Sequence, residues 1–176
     1  MIPTLDELHA ALLKLAATTT PPQTSGEVQA SPTEGQPTAP TPPSPVQVVD
    51  PKAKGYHLDV TVTPDQVIAA AEIMRRHGFG MDTVTGVDWM AAGQMEVVYD
   101  YFHPASVLHV VVRTRVPRDQ PELPTIQQVF PGANWHERET HDFFGIKFLG
   151  HPDLSPLLLP EDADYHPLRK DFAGAA

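Results

Sequence analysis

The stretch YHLDVTVTPDQVIAAAEIMRRHG, residues 56–78, decides the fold. Its first part alternates: Tyr56, Leu58, Val60 and Val62 are apolar and the residues between them polar, the two-residue period of a strand with one buried face. Then the period changes. Thr63 stands at an N-cap position, Pro64 in the first turn, and Gln66 three residues past the cap, which is the pattern of a capping box. Val67, Ile68, Ala71 and Met74 form the apolar stripe of the helix that follows. Arg75, Arg76 and His77 suit its negative C-terminal end, and Gly78 stops it.

Towards the C-terminus, a second strand is expected over Asp82–Trp89, with a turn at Gly93. Met95–Phe102 and Val107–Val116 read as a hairpin closed at His103-Pro104. The β-branched run Leu108–Val112 predicts burial on both faces. The order β-α-β-β-β implies an α+β fold, a mixed or antiparallel sheet with helices on one side. Past Pro117, Arg118–Pro124 reads as a loop and Thr125–Phe130 as one or two helical turns, broken at Pro131-Gly132. Asn134 can cap a helix Trp135–Phe144 that ends at Gly145, and Ile146–Phe148 can form a short strand. The core domain is thus residues 56–149. Residues 150–176 hold prolines at 152, 156, 160 and 167 beside Leu154, Leu157, Leu158, Leu159 and Leu168. A segment so apolar and without period predicts an extended docking tail lying over a surface, its own or a partner's.

Towards the N-terminus, residues 18–55 carry nine of the chain's 20 prolines and no aromatic residue. Such a stretch buries too little to offset its ordering entropy, so a disordered Pro-rich linker is expected. Residues 1–17 read as a short amphipathic helix. Thr4 and Glu7 frame its capping box, and Leu5, Leu8, Leu12 and Leu15 form its stripe. Alone it is marginal in water; it is either a frayed arm or a helix that docks on a partner.

The formal net charge of −10 repels phosphate backbones and argues against a nucleic-acid partner. There is no cysteine, so this chain offers no thiolate ligand for iron–sulfur clusters and no disulfide. The first residues lack a secretory pattern. No apolar run of about 18 residues exists, so membrane contact is expected only through other chains. No P-loop and no G-x-G-x-x-G after a strand is present. Asp82, Asp88, Glu96 and Asp100 lack the spacing of a calcium loop.

The segment PGANWHERETHDFFGI, residues 131–146, is the most informative. At 100° per residue, Trp135, Arg138, Glu139 and Asp142 share a face, with Glu137, His141 and Phe144 roughly opposite. An arginine with carboxylates one and four positions later predicts a paired charge network that pins the helix or fixes an interface. The competing reading is a metal or acid–base site of His136, Glu137, Glu139 and His141. The two histidines are five apart, whereas H-E-x-x-H needs four to bring both to one face.

This segment resembles the signature of the 30 kDa subunit family of respiratory complex I. So do GHPDL at 150–154, LPED at 159–162 and HPLRKD at 166–171. The similarity covers roughly Tyr56–Phe172. It implies a non-catalytic subunit on the hydrophilic arm of an energy-converting redox complex, peripheral on the cytoplasmic face of the inner membrane. The same subunit recurs in energy-converting membrane-bound [NiFe] hydrogenases. The resemblance implies no catalytic, cofactor or metal residues on this chain. Iron–sulfur clusters, and the NiFe centre or quinone, would sit on partner subunits: a large subunit of 49 kDa or hydrogenase type, and a small iron–sulfur subunit. It marks Trp135, Glu137, Arg138, Glu139, Asp142, Gly145, Pro160, Glu161, Asp162, Pro167, Leu168, Arg169, Lys170 and Asp171 as the structural and interface signature. In this family the tail wraps the large subunit, which would set Arg169, Lys170 and Asp171 against partner charges. His141 replaces a more usual aromatic residue, and residues 1–55 lie outside the pattern. Both departures lean towards the hydrogenase version. A freestanding metal-dependent enzyme and an unrelated soluble adaptor are the alternatives.

Overall fold

The computed structural model describes residues 3–18 and 44–174. Most of the expected linker therefore lies outside the described residues. Its last part does not behave as linker. Val46–Val48 (β1) pairs antiparallel with Leu58–Thr61 (β2), and Pro51–Lys54 (α2) is a short helix capped by Asp50 and closed by Gly55. The expected boundary at residue 56 thus falls inside the sheet. The alternation of β2 shows which of its faces is buried and not what pairs along its edge, so β1 left no trace in it.

The helix Leu5–Ala17 (α1) spans the expected range, with the Thr4–Glu7 capping box in place. It is neither frayed nor free for a partner. Leu8 and Leu12 are fully buried in the main core, and Gln66 Nε2 donates to the Leu15 carbonyl at 2.8 Å. Fully burying two leucines contributes on the order of 3–6 kcal/mol, which overrides the weak propensity of a short helix.

The strand Gly80–Trp89 (β3), the strand Gln94–His103 (β4) and the strand Leu108–Pro117 (β5) complete a mixed sheet of order β1-β2-β5-β4-β3. Only β2–β5 is parallel, and the helix Val67–Arg76 (α3) belongs to that crossover. The register aligns Val46, Val60, Val112, Tyr99 and Val84 in one row across all five strands. Every member is buried. The helices pack on this face. On the other face lies a charged ladder: Arg113 Nε meets Asp59 Oδ1 at 2.9 Å and Arg115 Nε meets Glu96 Oε1 at 2.9 Å. Val110, Val111 and Val112 are buried on both faces of β5, as their composition predicted.

The expected loop at 118–124 contains a strand, Glu122–Pro124 (β6), which pairs parallel with Lys147–Leu149 (β7). Between them lies the helix Ala133–Phe144 (α4). Its N-cap position is Gly132, not Asn134, because the turn at Phe130–Ala133 carries the chain directly into the helix. Gly145, at φ +71°, closes α4 as expected. The packing of α4 beside the edge strand β3 places the signature residues.

Candidate functional site

Helix α4 has three working stripes rather than two. The inward stripe carries Glu137, fully buried. One carboxylate oxygen accepts from the Thr125 hydroxyl, and the other accepts from the Ile126 N–H at 2.8 Å. Burial pushes its pKa up to about 7 against these two stabilising donors. The His151 ring, also fully buried, stands 3.9 Å away. Its Nδ1 accepts from the Asp153 N–H at 3.1 Å, so Nε2 carries the proton that it gives to the Asn134 carbonyl at 3.2 Å. Glu137 thereby joins α4 to the β6 connection, with the first residues of the tail alongside.

The second stripe faces the tail. Arg138 donates from Nε to the Ser155 carbonyl at 3.1 Å, and from a terminal nitrogen to the Ser155 hydroxyl and the Pro156 carbonyl, both at 3.2 Å. Its guanidinium lies 5.5 Å from the centroid of the Trp135 ring. One turn on, buried Asp142 accepts from three successive backbone amides with a single oxygen: Leu157 at 2.8 Å, Leu158 at 2.7 Å and Leu159 at 3.3 Å. Successive N–H groups converging on one carboxylate form an anion nest. At the helix end, His166 Nδ1 bonds the Asp142 carbonyl at 2.8 Å and Arg169 Nε bonds the Phe144 carbonyl at 2.7 Å. A cation is thus set on the negative helix terminus. Burial holds His166 and Arg169 below their ordinary pKa ranges.

The tail then reaches the sheet. Asp88, on β3 and nearly inaccessible, accepts from Arg118 at 2.8 and 3.0 Å and from the Lys170 N–H at 2.9 Å. Arg118 also meets Asp171 at 2.6 Å. The Arg118 bonds hold the Asp88 carboxyl below the usual carboxylate range. The ammonium of Lys170 lies 5.9 Å from the Trp89 ring.

The charge network expected around Arg138 is therefore different. Arg138 grips tail carbonyls, Asp142 grips tail amides, and exposed Glu139 makes no bond or ion pair within the described residues. The helix turns Glu139 away from the Arg138–Asp142 stripe, towards β3. Arg169 and Asp171 bond their own chain rather than standing free for a partner. Pro160 closes a turn to the Ala163 N–H at 3.0 Å, and Glu161 and Asp162 are exposed. The four residues of the metal reading do not converge. Among the described residues no three His, Asp or Glu side chains are placed to hold a metal ion. Sequence reasoning missed Thr125, His151 and Arg118. Only the last left a signal: a strand aspartate on the core face, Asp88, needs a cation.

The remaining feature is what the tail leaves outside. Trp135 and Leu158 are each 60% exposed and Leu168 53%. The tail is fastened through its backbone at 155–159 and through polar side chains such as His166, Arg169 and Asp171, while the apolar side chains of Leu158 and Leu168, and of Trp135 on the helix, face out.

The family model for the 30 Kd subunit of respiratory-chain NADH dehydrogenase matches residues 60–176. A subunit of the NADH-quinone oxidoreductase of Roseiflexus castenholzii is 39% identical over 120 residues, 65% of this chain and 68% of that protein. A subunit of the F(420)H(2) dehydrogenase of Methanosarcina mazei is 46% identical over 96 residues, 52% of this chain and 59% of that protein. A chain from the membrane-bound sulfane sulfur reductase, an archaeal respiratory membrane complex, superposes with a TM-score of 0.60 at 33% identity, covering 65% of this chain and 71% of that one. The α4 signature, the tail that it fastens and the strands β3, β4 and β5 beneath them all fall within the matched residues, and the chain belongs to the family of the 30 Kd subunit of respiratory-chain NADH dehydrogenase.

Proposed function

We propose that this chain is the docking subunit on the hydrophilic arm of a membrane-associated dehydrogenase of complex I type. It holds the large catalytic subunit in place beside a small iron–sulfur subunit. The observation that carries this reading is a set of exposed apolar side chains, Trp135 on α4 and Leu158 and Leu168 on the tail that Arg138, Asp142 and Arg169 clamp to that helix. Anchored, preorganised apolar groups cost little entropy when they are covered. The electron-carrying groups, iron–sulfur clusters and a quinone site, belong on the partner chains. This chain has no cysteine to ligate a cluster.

A dehydrogenase host is favoured over a [NiFe] hydrogenase because the first two relatives named above belong to dehydrogenases of this type. That reverses the lean that the sequence departures suggested. No helix among the described residues is long and apolar enough to cross a membrane. In this reading the chain reaches the membrane only through its complex, at the cytoplasmic face of the inner membrane; relatives that belong to membrane complexes support it.

The test is affinity purification of the N-terminally tagged chain from its native membranes. Recovery with a large subunit lacking nickel-ligating cysteines, and with donor-to-quinone activity, is expected. Recovery with nickel-ligating cysteines and hydrogen evolution would move the host to a hydrogenase. Recovery alone, with stoichiometric metal, would overturn the docking reading.

A further inference from the structure

A groove of about 470 Å³ runs between the third stripe of α4 and the edge strand β3. Its walls are Thr85, His136, Glu139, Phe143, Phe144 and, at one end, Leu168 of the tail. The apolar lining is aromatic. Phe144 lies so close over Gly86 that any Cβ there would run into its ring, so the groove wall is fixed by packing. Glu139 stands at the groove exposed and without a partner among the described residues, and neither lysine nor arginine lines the cavity. The threonine hydroxyls of the lining are engaged, Thr83 with Thr85 at 2.9 Å and Thr140 with the Val84 carbonyl at 3.4 Å. What the groove offers a visitor is the unpaired Glu139 carboxylate and the His136 imidazole beside the rings of Phe143 and Phe144.

We propose that this groove receives an arginine side chain from a neighbouring subunit of the complex, its guanidinium paired with Glu139 and stacked on Phe143. Charge and shape both select arginine. A carboxylate offers the fork that a guanidinium matches with two hydrogen bonds, and the flat cation stacks on an aromatic ring as a compact, strongly hydrated ammonium does not. The three-carbon stem would lie against Phe144 and Leu168. Position agrees: Leu168 is shared between this groove and the apolar set proposed to dock the large subunit, so the arginine would enter from the edge of that interface. The inference rests on the docking reading and adds a chemically specific contact to it.

The chain has no cysteine, so Thr85→Cys introduces a unique thiol at the groove. A maleimide–benzophenone reagent attached there, irradiated in the assembled complex and mapped by mass spectrometry, reports what fills the cavity. A cross-link to another subunit within a few residues of an arginine is expected. An intact complex with no cross-link between chains, or a cross-link to a stretch without arginine, overturns the proposal and leaves the docking reading standing. Recovery of the chain without any partner sinks both. In parallel, Glu139→Arg is expected to lower co-purification of the large subunit by about ten-fold. The melting temperature of the full chain should not change, because Glu139 bonds nothing within its described residues. Undiminished co-purification would equally overturn the proposal.

Discussion

At the scale of single residues, burial decides what each acid of α4 can do. Glu137 sits inside, where removal from water raises its pKa from 4.5 to about 7. Between those two values the folded state keeps a proton that the unfolded chain has released. Stability from this group therefore falls as pH rises through that window, by on the order of 3 kcal/mol in all. Urea denaturation at about pH 5 and about pH 7.5 should show this loss, and Glu137→Gln should remove most of it. Glutamine keeps an oxygen for the Ile126 N–H and never ionises. An unchanged pH slope in the variant would mean that the carboxyl is charged throughout. Asp142 is buried too, but it is engaged differently: three successive tail amides converge on one of its oxygens.

At the scale of elements, the joints carry the load. Gly145 ends α4 in the left-handed region, and a Cβ there would collide with the His166 ring and the Arg169 guanidinium. Gly145→Ala should therefore cost more than about 1 kcal/mol and also unseat the tail from the helix end. Limited proteolysis should cut the variant faster near residues 160–170, with the sheet still intact by circular dichroism. The first helix is a second joint. Leu12→Ala should lower stability by about 2–5 kcal/mol in urea, since Leu12 lies in the same core as Val60 and Met74. A change below about 0.5 kcal/mol would mean that α1 is a dispensable arm. The amphipathic stripe of α1 was visible in its leucines, but not its destination. Periodicity shows that a face is apolar and never what covers it. Gln66 illustrates the same limit: its capping place was legible, its bond to Leu15 fifty-one residues away was not.

At the scale of the whole molecule, the tail closes a circuit over the domain. Past Gly145, β7 returns the chain to the start of α4, where His151 meets Asn134; the tail then follows the helix to its end and finishes on the adjoining edge strand β3, where Asp88 gathers Arg118 and the Lys170 amide and Arg118 gathers Asp171. Arg118→Ala would strand a buried carboxylate, so a loss of about 3 kcal/mol in the urea midpoint analysis is expected. Asp88→Asn with Arg118→Ala should recover part of it, because the buried charge is gone. Strands β2 to β5 and the capped helices α1 and α3 were readable because local period and cap chemistry determine them, whereas β1 lay hidden in a Pro-rich stretch. The grip of α4 on the tail was not readable, because it joins side chains to main-chain atoms up to 25 residues away, and main-chain atoms carry no sequence label. That same anonymity has a consequence. Beyond the Ser155 hydroxyl, Asp142 and Arg138 hold amides and carbonyls, which nearly every residue type supplies, so residues 156–159 can exchange side chains with little loosening of the anchor. The tail behaves as a bracket with replaceable fittings: the mount keeps its geometry, while the outward faces can be refitted to whichever large subunit the chain is paired with.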